Sequence, residues 1–332
     1  MTTNLTVFFL GGTIGMAGHR AGVVHRLTGA ELVEAVPQLA DVGANLAVRD
    51  FRALPSACLS FADILELADA ADAAVAAGAD GIVVVQGTDT IEETAYLIDL
   101  VWSRPAPVVV TGAMRNPRLA GADGPANLLA AARVAASGAF AGLGCLVVAN
   151  DQVHAARHVR KTHSANPATF AAPNTGPIGI LAEDRAVLLT RPAGRVTLPR
   201  PRPDAAAAAP VALHTVALDD DGGQLVGLAD RYAGLVVAGF GVGHVPAALA
   251  EPLGELARRI PVVLASRTGA GPVFTATYGF AGSERDLHGR GLIGAGLLDP
   301  YKARVLLRLL LAGGADREAV AATFATAGGL SA

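Results

Sequence analysis

Thr13 and Thr88 each follow a glycine at the end of a strand-like run, and Lys161 is one of only two lysines in the chain. A threonine hydroxyl is inert at neutral pH unless a neighbour takes its proton or lowers its pKa. Asp89 stands directly after Thr88. A lysine acts as a base only where burial or nearby cations lower its pKa toward neutrality. A threonine, a lysine and an aspartate together would supply a nucleophile, a base and an orienting charge. Spacing alone does not carry Lys161 to Thr88, because the lysine lies in a polar stretch, residues 150–166. A solvated ammonium is the other reading of a lysine in such a stretch.

The elements that must position these groups follow an α/β pattern, with short β-rich runs alternating with helical ones. Strands are predicted over residues 5–10, 81–85, 107–110 and 145–149. Residues 81–85 are wholly apolar, as in a parallel strand buried on both faces. Thr28 and Glu31 have the spacing of a capping box that opens a helix through residue 36. Further helices are predicted over 61–77, 91–102 and 123–137. Three strand ends carry glycine beside a small or polar residue: Gly11-Gly12-Thr13, Gly87-Thr88-Asp89 and Gly112-Ala113. Ligands of open parallel sheets bind beyond the carboxyl ends of the strands, where glycine lets backbone N–H groups come close. Tight strand–helix turns are the alternative use of such glycines, but three on one sheet edge favour a site.

Length suggests two domains. Residues 191–210 hold five prolines and an alanine run and read as a linker between a domain at 1–190 and one at 211–332. The second half predicts strands at 211–218, 235–238 and 262–264 and a helical C-terminus from 303, a smaller parallel α/β domain. Hydrophobic residues make up 52% and charged ones 17%, too apolar for a disordered chain. The net charge is 26 − 29 = −3 with no basic block, which leaves no electrostatic footprint for nucleic acid. The longest low-charge stretch, 126–149, is alanine-rich and carries Arg133 and three glycines, so no membrane span is expected; the N-terminal run has no basic n-region and no cleavage site, so no signal peptide is expected. Cys58 and Cys145 are the only cysteines, which excludes a disulfide scaffold, and both read as packing residues. His154 and His158 have the spacing of a helical metal pair, but the segment reads as loop with no accompanying glutamate, so no metal is expected. Lys161-Thr162 lacks the glycines of a phosphate-binding loop, and residues 239–243 have the wrong spacing for a dinucleotide fingerprint.

With these motifs in order, the chain resembles the bacterial L-asparaginase family, the two-domain threonine amidohydrolases. Gly11-Gly12-Thr13-Ile14 is similar to the family's first threonine motif. Gly87-Thr88-Asp89-Thr90-Ile91-Glu92-Glu93-Thr94-Ala95 is similar to its second, and a match of this length is highly specific. Thr111-Gly112-Ala113-Met114-Arg115, Asp123-Gly124-Pro125-Ala126-Asn127-Leu128 and Lys161-Thr162 follow in the family's order, as do Gly176-Pro177-Ile178-Gly179, Ser266-Arg267-Thr268-Gly269 and Lys302-Ala303-Arg304. The resemblance implies an asparaginase-like fold, with a larger N-terminal flavodoxin-like sheet and a smaller C-terminal parallel sheet. It implies hydrolysis of L-asparagine to L-aspartate and ammonia, without a cofactor, in a cytoplasmic homotetramer or homodimer. Thr13 would attack the side-chain amide, and Thr88, Asp89 and Lys161 would activate a nucleophile or water. Asp89 would also hold the substrate's α-ammonium and Ser56 its α-carboxylate. Backbone groups of Gly12, Gly87, Thr88 and Ala113 would line the substrate and the developing oxyanion.

The departures from the family pattern are specific. Gln86 stands where many members have histidine, and Ala57 where many have glutamine. Residues 15–27 contain no tyrosine, where many members carry one as proton partner of the first threonine. His244 replaces an asparagine that, with an acidic residue from a neighbouring subunit, completes the site in the family. Tyr278 and Glu284 are the candidates for the replacement groups. Their other reading is a core tyrosine and a surface carboxylate. These changes keep a non-catalytic, asparagine-binding protein open as an alternative function. An ammonia-releasing amidotransferase subunit is another, but such subunits usually carry an added N-terminal domain, and the first motif here begins at Gly11.

Overall fold

The computed structural model describes residues 2–12, 14, 16, 17 and 25–329. They form two compact units, residues 1–197 and 198–332. The first unit contains β1 (Thr3–Phe9), β2 (Met16–Ala17), β3 (His25–Arg26), β4 (Ala44–Asp50), β5 (Gly81–Val85), β6 (Val108–Thr111), β7 (Cys145–Ala149), β8 (Gln152–Ala155), β9 (Arg160–Lys161), β10 (Phe170–Ala171), β11 (Gly179–Ala182) and β12 (Arg185–Leu188). Its helices are α1 (Gly29–Glu34), α2 (Phe61–Ala76), α3 (Ile91–Val101) and α4 (Gly124–Ala136).

The main sheet runs β12-β11-β8-β7-β6-β5-β1-β4. Strands β7, β6, β5 and β1 are mutually parallel, as expected, and β4, which the sequence reading did not mark, extends them in parallel, whereas β8, β11 and β12 are joined by antiparallel pairings, β8 to β7, β11 to β8 and β12 to β11. The sheet is therefore mixed rather than uniformly parallel. The cause is a two-residue turn at Asn150 and Asp151, both left-handed, with φ of 50° and 57°. Positive φ at both central positions makes the tight hairpin that matches strand twist. It returns the chain beside β7 within the stretch that the sequence suggested was merely polar.

Helix α4 covers the face lined by Leu5, Val7, Val83, Val85, Val109 and Leu146. Every residue of β5 is buried, so its apolar run is covered on both sides. The predicted capping box at Thr28 and Glu31 is present at the start of α1, and Ser60 with Asp63 makes a second at α2. Each box satisfies N–H groups that the first helical turn leaves unpaired.

The second unit contains α5 (Pro203–Ala208), β13 (Val211–Thr215), β14 (Gly234–Gly239), α6 (Ala247–Arg259), β15 (Val262–Ser266), α7 (Glu284–Gly289), β16 (Ile293–Gly294), α8 (Pro300–Ala312) and α9 (Arg317–Ala327). Its sheet, β13-β14-β15-β16, is parallel throughout. Leu235, Val237, Val262 and Leu264 pack there against Leu249 and Leu253 of α6. The other lysine, Lys302, is wholly buried, with its Nζ 2.8 Å from Asp299 Oδ2.

The Pro-rich stretch is tied down rather than free. Arg157 donates to the carbonyls of Ala193 and Gly194, and Arg195 donates to Trp102 O at 2.8 Å. Within it, the alanine run forms α5, held in part by Arg308 donating to Ala206 O. The remaining corrections concern single residues. His154 lies fully buried on strand β8, where a loop was expected. Cys145 is buried on β7, but Cys58 is exposed and is not a packing residue. Among the described residues, no helix is long and apolar enough to cross a membrane.

Candidate active site

Strands β6, β5 and β1 are neighbours, so their carboxyl ends bring the three glycine motifs side by side. Gly12 has φ of 100°, and a Cβ there would lie 2.2 Å from Gly87 N. Only glycine can hold that conformation without strain and allow that approach. From the other side, a Cβ on Gly112 would lie 2.4 Å from Gln86 O. The Gln86–Gly87 peptide is thus gripped between the first and third motifs. Ala113 is buried behind the third. Thr13 itself lies outside the described residues, as does most of the 15–27 segment.

Beyond β5, Gly87 leads into a single 3-10 turn, Thr88–Thr90, and then into α3. The turn buries Thr88 and leaves Asp89 largely exposed. Lys161 comes from the ribbon of β9 and β10, where it pairs with Phe170. The ribbon is locked beyond the lysine: Thr162 N donates to Thr169 O at 2.8 Å, and His163 N to Thr169 Oγ1 at 2.9 Å. His163 Nδ1 accepts from the N–H groups of Ala165 and Asn166, both at 3.0 Å. This scaffold carries Lys161 Nζ to 2.9 Å from Thr88 Oγ1 and 2.9 Å from Asp89 Oδ1. The lysine side chain is only 15% exposed. The arrangement is a continuous hydrogen-bonded chain from a buried hydroxyl, through an amine, to a carboxylate at the solvent edge.

Ser56 joins the same wall. It is 2% exposed and opens a short 3-10 helix, Ser56–Cys58. Its Oγ accepts from Asp89 N at 3.2 Å. A Cβ on Gly87 would stand 2.6 Å from that Oγ, so glycine at 87 permits the contact. The structure therefore gathers Ser56, Gly87, Thr88, Asp89 and Lys161, with Gly12 and Gly112 against the same backbone.

The residues that hold this wall, Gln86 apart, are quoted in the motifs without a role of their own. Thr90 Oγ1 donates to Ser56 O at 3.1 Å, and Gln86 Nε2 reaches Thr90 Oγ1 at 3.3 Å. Asn127 of α4 donates to Gly112 O at 2.9 Å and accepts from Asn150 N at 2.9 Å. Asp123 accepts from the N–H groups of Met114 and Arg115, at 2.9 and 2.8 Å. All of these lie in or beside the quoted motifs, and their position was the only signal. A cavity of about 250 Å³ opens between Gly11, Gly12 and residues 50–55. Among the described residues its lining is mostly apolar and includes none of Thr88, Asp89 and Lys161.

The other candidates form a group within the second unit. Glu284 is fully buried at the start of α7. It accepts from Thr277 N at 2.8 Å, Tyr278 N at 2.7 Å and His244 Nε2 at 3.2 Å. Burial pushes its carboxyl up, but bonds from the N–H groups of Tyr278, Glu284 and Thr277 and from His244 outweigh it and hold the pKa below the usual carboxylate value. Tyr278 meets the His244 ring edge-on at 4.9 Å and is 44% exposed. The reading as core tyrosine and surface carboxylate is therefore inverted.

Comparison with known proteins adds a family to this geometry. Residues 4–193 match the model of the N-terminal asparaginase domain, and residues 211–324 that of the glutaminase/asparaginase C-terminal domain. The chain is 38% identical over 275 residues to a probable L-asparaginase of Deinococcus radiodurans, covering 82% of this chain and 83% of that protein. It is 33% identical over 321 residues to an L-asparaginase of Bacillus licheniformis, covering 94% and 96%. The crystal structure of a probable cytoplasmic L-asparaginase from Campylobacter jejuni superposes with a TM-score of 0.86 at 29% identity, covering 98% of this chain and 99% of that one.

Proposed function

The chain belongs to the asparaginase family, and from that premise we propose that it is an L-asparaginase, an amidohydrolase that converts L-asparagine and water to L-aspartate and ammonia through a threonine nucleophile. The observation that carries the reading is the 2.9 Å approach of Lys161 Nζ to both Thr88 Oγ1 and Asp89 Oδ1. A protein that only bound an amino acid would have no use for a buried hydroxyl joined to an amine and a carboxylate.

Thr13 attacks the side-chain amide carbon of asparagine. The C–N bond breaks, and the threonine proton leaves with the amide nitrogen as ammonia. A water then gives a proton to the path from Thr88 to Lys161 while its oxygen attacks the acyl carbon; the bond from that carbon to Thr13 Oγ breaks, the proton held by the path returns to Thr13 Oγ, and aspartate leaves. Asp89 holds the substrate's α-ammonium and Ser56 its α-carboxylate; the bond from Asp89 N to Ser56 Oγ keeps these two ends in register. Backbone groups at Gly12, Thr88 and Ala113 receive the developing oxyanion, where one donor is worth about 100- to 1,000-fold in rate. No metal or cofactor enters this sequence of steps.

Discrimination against glutamine rests on one methylene, worth about 1–3 kcal/mol. We assign the enzyme to the cytoplasm, following the description of the Campylobacter relative, and to a homotetramer or homodimer, which light scattering of the purified protein tests. The functional test is ammonia release by wild type, Thr13→Ala and Thr88→Ala. Near-wild-type turnover by either variant removes that threonine from the mechanism. Calorimetric binding of asparagine by the wild type with no ammonia formed would instead identify a binding protein.

A further inference from the structure

We propose that Gln86 is a positioning residue, one whose side-chain N–H sets the place of Ser56 in the substrate wall by way of Thr90. The proposal rests on the asparaginase reading, in which Ser56 meets the substrate.

Gln86 is completely buried, and its backbone belongs to the peptide gripped by Gly12 and Gly112. Its Nε2 donates to Gly87 O at 3.2 Å and to Thr90 Oγ1 at 3.3 Å. Two carbonyls fix the polarity of this relay. Gly87 O can only accept, so the amide must turn its NH2 end toward it. Ser56 O can only accept, so the Thr90 hydroxyl must spend its single proton there, at 3.1 Å. The Thr90 oxygen then accepts a hydrogen bond from Gln86 Nε2. The relay runs in one direction, from Gln86 through Thr90 to the Ser56 carbonyl, while the Oγ of the same serine accepts from Asp89 N.

The other half of the amide gains nothing. Gln86 Oε1 is buried and has no hydrogen-bond partner among the described residues. A methionine would fill a similar volume without the penalty of an unpaired oxygen. What glutamine adds at this place is its pair of donors, and one of them serves Thr90.

The experiment measures asparagine hydrolysis across pH for Gln86→Met, Gln86→Glu and Gln86→His, with thermal melts in parallel. Gln86→Met removes the donor, and KM rises about tenfold while kcat stays within about threefold. Gln86→Glu gives the same rise at high pH, and KM returns toward the wild-type value as the pH falls and the carboxyl gains a proton to donate. Gln86→His brings a ring N–H and recovers most of the affinity that Gln86→Met loses. Where Gln86→Met fails to fold, Thr90→Val removes the relay hydroxyl and must raise KM alike. A KM within twofold of wild type in Gln86→Met or Thr90→Val overturns the proposal, as does a Gln86→Glu profile parallel to that of the wild type. Failure of the wild type itself to release ammonia would sink the asparaginase reading instead, so the two failures are distinguishable.

Discussion

Lys161 Nζ lies 2.9 Å from Thr88 Oγ1 although 73 positions separate the two residues in the chain. The second motif supplies the hydroxyl and the β9–β10 ribbon supplies the amine, so neither element makes the site alone. Lys161→Met keeps the length of the side chain and removes the proton path. General acid–base groups contribute about 100- to 10,000-fold, so kcat should fall by that much while KM changes little. A coupled ammonia assay measures it, and a fall of less than tenfold would take Lys161 out of the chemistry.

Gly12→Ala tests the grip on the Gln86–Gly87 peptide. The new methyl would stand 2.2 Å from Gly87 N at a φ of 100°, so the backbone has to move. Strain of this kind costs about 1–3 kcal/mol, and a displacement near 1 Å at a catalytic wall costs about 100-fold in rate. Urea unfolding and initial rates should both register the change. An active, fully stable Gly12→Ala would contradict the packing described here.

His154 predicts acid lability. Burial lowers its pKa from 6.5 to about 4, and neither ring nitrogen has a hydrogen-bond partner among the described residues. The folded protein keeps the ring neutral, while the unfolded chain takes up a proton below about pH 6.5. Stability is therefore complete above pH 6.5, declines as the pH falls, and stops declining below about 4. The loss amounts to roughly 3 kcal/mol. His154→Leu should lose less stability than wild type between pH 7.5 and 4.5, by about 2 kcal/mol in urea titrations. Equal losses would mean that other groups govern the acid limb.

Glu284→Ala probes the second unit. It strands the N–H groups of Thr277 and Tyr278, which both donate to the buried carboxylate. Each unpaired group costs about 1–3 kcal/mol, so the melting temperature of the protein should drop by several degrees. Glu284→Gln keeps an acceptor oxygen for both N–H groups and should recover most of the loss. No recovery would show that charge, rather than hydrogen bonding, is what the position requires.

Much of this molecule is legible without coordinates. Residues 81–85 announce a doubly covered strand because five apolar residues in a row have no polar face to present. Thr28 and Glu31 announce a helix start because the capping bonds span only three residues. The glycine motifs at the ends of β1, β5 and β6 mark the edge proposed as the site, since a parallel sheet offers its ligands that edge. These signals act over a few residues or follow from the chain's own periodicity. What only the tertiary structure decided depends on surroundings drawn from distant parts of the chain. The turn at Asn150 and Asp151 makes the sheet mixed, and the same excursion supplies Lys161. Glu284 is buried and Tyr278 exposed because the backbone N–H groups and His244 solvate a carboxylate inside the protein. Gln86 matters through Thr90 and Ser56, a three-residue relay in which each partner's direction is fixed by a carbonyl that no local pattern reveals.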